Sequence, residues 1–156
     1  ELDLMLVDMP PGTGDAQLTM AQKVPLKGAI IVSTPQDIAL IDARKGLNMF
    51  RKVDVLVLGF VENMSYYICP KCGDRANIFS HGGARKEAEN LGTEFLGEVP
   101  LDIAIRETSD NGEPIVMSQP DSVHAMAYLD IADRIWSKLA TVKDGHQRHA
   151  PKIMEE

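Results

Sequence analysis

Three short apolar runs, spaced too far apart for hairpins, limit what this chain can fold into. They are Ala29-Ile30-Ile31-Val32-Ser33, Val55-Leu56-Val57-Leu58-Gly59-Phe60-Val61 and Phe95-Leu96-Gly97-Glu98-Val99. The first two show no apolar-polar alternation, as expected of strands covered on both faces. Each gap holds a helical pattern, and strands joined by helices pair in parallel. A fourth run, Leu4-Met5-Leu6-Val7, predicts a buried strand ahead of these, ending at Asp8. The expected fold class is therefore α/β: a mostly parallel sheet flanked by helices, Rossmann-like in outline.

The helices follow from their start and stop signals. Asp15 opens one that runs from Ala16 to about Lys23. Thr34-Pro35-Gln36-Asp37 combines a cap, a proline and an acid, and predicts a helix to about Lys52. Ala84 to Leu91 reads as a helix closed by Gly92, and Ile103 to Thr108 as one or two turns. Ser122 begins a long helix to about Leu139, with Ala125, Leu129, Ala132 and Trp136 on one stripe and Tyr128, Ile131 and Ile135 beside it. Ligands of parallel sheets gather at the C-terminal strand ends, where Asp8, Thr34, Asn63 and Pro100 are expected.

Composition excludes several function classes. The 156 residues carry a formal net charge of −7, the wrong sign for a chain that coats nucleic acid. No apolar run approaches the roughly 20 residues of a membrane helix. Two cysteines are too few for a disulfide scaffold, and with no export signal the expected compartment is the cytoplasm. The chain opens at Glu1 directly into an apolar run. This predicts the C-terminal part of a longer protein, with residues 1–141 inside one domain and 142–156 a polar, flexible tail.

Two constellations can carry chemistry. In the first, Asp8 leads into Met9-Pro10-Pro11-Gly12-Thr13-Gly14-Asp15. An acid at a strand end can hold Mg²⁺ through water, and a glycine such as Gly12 lets a backbone N–H approach a terminal phosphate. The plain alternative is a strand-ending acid and a tight turn. The partner loop G-x-x-x-x-G-K-[ST] does not occur in the chain. The second constellation is Cys69-Pro70-Lys71-Cys72. Two thiolates supply half of a four-cysteine site, and a second copy across a two-fold axis could supply the rest. Zinc completed by His81, a redox pair and an inert pair are the alternatives.

Five ordered motifs then carry a resemblance: Val7 to Asp15, Ser33-Thr34-Pro35-Gln36-Asp37, Glu62-Asn63-Met64-Ser65, Cys69-Pro70-Lys71-Cys72 and Gly97-Glu98-Val99-Pro100-Leu101. Over residues 2–140 the chain resembles the Mrp/ApbC-type iron–sulfur cluster carrier ATPases. These belong to the ParA/MinD-like branch of P-loop NTPases. The resemblance implies a cytosolic homodimer that bridges a [4Fe–4S] cluster through Cys69 and Cys72 of each subunit and transfers it to apo-proteins. It implies Asp8 as the acid near Mg²⁺ and Gly12 as the switch glycine near the γ-phosphate of ATP. Asn63, Pro100 and Leu101 would line the base pocket. The resemblance also makes ATP hydrolysis a property of the longer protein and not of these residues alone. The sheet would then be incomplete at its N-terminal side, with an open edge that lowers stability or promotes self-association. The competing expectation is a zinc-stapled dimer or a ParA/MinD-like regulator that transfers no cluster.

Overall fold

The computed structural model describes residues 2–10 and 14–142. The order of elements is α1 (Asp15–Lys23), β1 (Ala29–Ser33), α2 (Asp37–Lys52), β2 (Val57–Glu62), β3 (Tyr67–Ile68), β4 (Arg75–Ala76), α3 (Gly83–Asn90), β5 (Phe95–Glu98), α4 (Ile103–Asp110), α5 (Ile115–Ser118) and α6 (Val123–Thr141). Strands β1, β2 and β5 form one sheet in that order, and both pairings are parallel. The α/β architecture with a parallel sheet thus holds. A separate two-stranded antiparallel ribbon, β3 with β4, carries the cysteines between its strands.

The expected strand at Leu4 to Val7 does not form. Residues 4–10 have no regular structure, and Leu4, Met5, Leu6 and Val7 are all exposed. An apolar run becomes a strand only where neighbouring strands accept its backbone groups, and here none does. The expected tail from residue 142 onward lies, but for Val142, outside the described residues.

One face of the sheet is packed by α2 and α3. Ile31 and Phe60 from the sheet meet Leu40, Ala43, Leu47 and Phe50 of α2 and Ala84 and Ala88 of α3. Phe60, Leu47, Ala84 and Ala88 have no exposed surface. On α2, Arg44 pairs with Glu87 of α3 and Arg51 donates to the Leu91 carbonyl.

The other face is covered by α6 over a smaller core of Val61, Leu96, Val99 and Ile131. The broad apolar face expected of α6 is buried unevenly, with Ala125 of the first stripe fully buried. Tyr128, Ile131 and Ile135 pack inward, while Leu129 and Trp136 are 42% and 55% exposed. Gly97 permits this approach: a Cβ there would lie 2.5 Å from the Ile131 side chain. Lys138 pins the far end of α6, reaching the Leu58 carbonyl and, at 2.7 Å, the Glu94 carboxylate. No helix among the described residues is long and apolar enough to cross a membrane.

Candidate functional site

The C-terminal ends of β2 and β5 build the site. After Glu62 the chain turns through Asn63 and Met64, whose φ of 54° places a non-glycine residue in the left-handed region. Asn63 steers that turn: its N–H donates to the Ser33 carbonyl at 2.8 Å, and its side-chain oxygen accepts from the Met64 N–H at 3.0 Å. The Ser65 N–H then donates to the Val99 carbonyl, and the Leu101 N–H to the Tyr66 carbonyl at 2.7 Å. The segment that follows Glu62 is thus laid along the one from Val99 to Leu101. Pro100 is buried and Leu101 partly so.

Glu62 is the keystone of this corner. Its side chain is completely buried, and an unpaired carboxylate there would be costly. Three donors satisfy it: the Ser65 hydroxyl at 2.6 Å, the Gly82 N–H at 2.8 Å and the Ala84 N–H at 2.7 Å. Two of these donors belong to the first turn of α3, whose N-cap, Gly82, has no side chain to offer. A strand-end carboxylate thus caps a helix from a distance, which is the role Ser or Asp usually plays locally.

His81 fills the space above. With the Ser65 proton committed to Glu62, His81 Nδ1–H donates to Ser65 Oγ at 3.0 Å. Nε2 lies 3.4 Å from an Arg75 nitrogen and 3.8 Å from a Glu98 oxygen. The same Arg75 nitrogen lies 3.4 Å from Glu98, and Arg85 reaches the other Glu98 oxygen at 3.3 Å. Arg75 also stacks over Tyr66, 3.9 Å from the ring centroid, and Arg85 over Phe95 at 4.1 Å.

The cysteines sit on the ribbon that rises from this corner. The Cys69 N–H donates to the Asp74 carbonyl, and the Gly73 N–H to the Cys69 carbonyl, both at 2.8 Å. Gly73 makes the turn with φ of 74°. The tight turn aims backbone N–H groups at one sulfur. The N–H of Cys72, then that of Lys71, then the Cys72 side chain, hold the Cys69 thiol below the usual thiol range. Both cysteines are free; Cys72 is exposed and Cys69 half-buried. Such a thiol is ready to bind a soft metal or a cluster iron.

The other expected residues fall out differently. Asp8 lies in the exposed, unpaired stretch and ends no strand. Gly12 lies outside the described residues. His81 does not complete a zinc site with the cysteines, since no group of three or more His, Cys, Asp or Glu among the described residues could hold a metal ion. One chain offers two thiols and no more. Glu62, Ser65, Arg75 and Glu98 were not singled out as site residues from sequence. An acid closing an apolar strand, as at Glu62 and Glu98, is the one local signal that could have found two of them.

The chain matches the ParA family model described as NUBPL iron-transfer P-loop NTPase over residues 1–136. It is 52% identical over 147 residues to the iron-sulfur cluster transfer protein NUBPL of Dictyostelium discoideum, a match covering 94% of this chain and 46% of that protein. It is 55% identical over 139 residues to the iron-sulfur cluster carrier protein of Escherichia coli K12, covering 89% and 38%. Among solved structures, a nucleotide-binding protein of Archaeoglobus fulgidus in complex with ADP is similar with a TM-score of 0.63 at 39% identity, over 73% of this chain and 46% of that one. The chain spans less than half the length of each of these relatives.

Proposed function

The chain belongs to the ParA-like, NUBPL-type family of iron-transfer P-loop NTPases, and from that premise we propose that it carries an iron–sulfur cluster on Cys69 and Cys72. The observation that carries the reading is the cysteine turn itself. It lies at the surface, it joins the two short strands of the ribbon, and its backbone donors lower the pKa of Cys69. Iron in a cubane cluster is held by four thiolates, and this chain supplies two. A second copy related by a two-fold axis supplies the others. The cargo is then a [4Fe–4S] cluster shared by a homodimer and handed to apo-proteins whose own cysteines replace these.

The nucleotide side follows from the same corner. Asn63 follows the C-terminal end of β2, and Pro100 and Leu101 follow that of β5, the ends at which ligands of parallel sheets bind. We assign them to the base of a bound nucleotide. Asp8 and Gly12 belong to the phosphate side, with Asp8 holding Mg²⁺ through water. ATP bound there would supply the energy for changing how the dimer holds its cluster. The residues of this chain supply the base contacts, and the phosphate grip needs a loop that its sequence does not contain.

The test is anaerobic reconstitution with iron and sulfide, with metal and sulfide counted per chain. About one cluster per two chains, as a four-cysteine site requires, supports the carrier, provided that Cys69→Ala and Cys72→Ala each abolish it. Zinc that iron cannot displace would instead establish a structural staple on the same thiols.

A further inference from the structure

We propose that Arg75 is the positioning residue of the cysteine turn, fixing where Cys69 and Cys72 are presented. The inference deepens the carrier reading and rests on it. Residues 70–78 are all exposed, and β3 and β4 are two residues each, too short to hold the ribbon rigid. Among the described residues from Cys69 to Phe79, Arg75 alone has a side chain that bonds to the body of the protein. Its guanidinium is clamped on three sides. The Tyr66 ring lies under it at 3.9 Å, Glu98 faces it at 3.4 Å, and His81 Nε2 lies at 3.4 Å.

A planar cation suits this clamp. It stacks on the aromatic face while its edge meets the carboxylate, which an ammonium cannot do at once. The anchors are themselves fixed. Glu98 is the last residue of β5 and is also held by Arg85, and His81 is tied through Ser65 to the buried Glu62. Arg75 lies three residues beyond Cys72 and opens β4, so holding its side chain against the body anchors that end of the turn. The clamp therefore acts on the metal through the thiols' position and touches no ligand.

The test compares cluster retention. Wild-type protein, Arg75→Ala, Glu98→Gln and Arg75→Lys are reconstituted anaerobically and challenged with an excess of an iron chelator. Loss is followed by visible absorbance and circular dichroism. Arg75→Ala and Glu98→Gln should lose the cluster about tenfold faster than wild type, the low end of what supporting residues contribute to metal sites. Arg75→Lys should recover part of the difference. The thermal midpoint of the metal-free protein should be the same in all four, which separates positioning from a general structural role. Equal retention by Arg75→Ala and a loaded wild type overturns the positioning role and leaves the carrier reading standing. A wild-type protein that takes up no cluster overturns the carrier reading, and the positioning role with it.

Discussion

The two faces of the sheet differ in how completely they are buried. On the α2 and α3 side, twelve buried residues form one cluster around Phe60 and Leu47. On the α6 side the cluster has four. Val32 of β1 is 61% exposed there, although Ile31 beside it is 7% exposed on the opposite face. Met126, Leu129 and Trp136 likewise leave apolar surface in solvent along α6. Hydrophobic stabilisation scales with area removed from water, so the two faces contribute unequally to the fold. The first face holds the framework. The second carries Val99, and with it the start of the segment assigned to the nucleotide base, on a thinner support.

Substitutions can break this contrast or sharpen it. The largest effect is expected from Phe60→Ala, which empties the filled side and should cost about 3–5 kcal/mol in denaturant titration. A loss under about 1 kcal/mol would mean that this core is no tighter than the other. Gly97→Ala comes next. Its methyl group would push Ile131 off the sheet, and a destabilisation of about 1–3 kcal/mol is expected. That α6 gives way locally can be read from faster hydrogen exchange in its amides. Trp136→Ala should change stability by no more than about 0.5 kcal/mol, since its ring gains little from burial. The same variant should bind less of a fluorescent apolar dye, because exposed aromatic surface recruits such probes. Unchanged dye binding would show that the stripe along α6 is not a continuous apolar patch.

These packing differences also mark what the sequence could tell. The runs at 29–33, 55–61 and 95–99 were legible because their apolar character is local. The run at 4–7 has the same character, yet pairing is not a local property, and it formed no strand. Helix α6 has two adjacent apolar stripes, and periodicity alone does not say which one faces the sheet. Helix α5 has four residues and β3 and β4 two each, below the span over which a period can be read. The cysteine pair was visible as a motif. Its clamp was not, since Arg75 and Glu98 are 23 residues apart and Glu62 and Gly82 are 20 apart.

Both feet of the cysteine ribbon, Ser65 and Gly82, stand on the single carboxylate of Glu62. In small metal-dependent domains the ion closes the loop and its binding energy is the folding energy, so removing the ion unfolds the chain. Here the excursion from residue 66 to 81 is already closed by protein groups, and the entropy of closure is offset before any metal arrives. Folding of this segment therefore does not wait on a bound metal, although any metal that binds the folded turn would add to its stability. A turn closed in this way keeps its shape whether or not its two thiols are occupied.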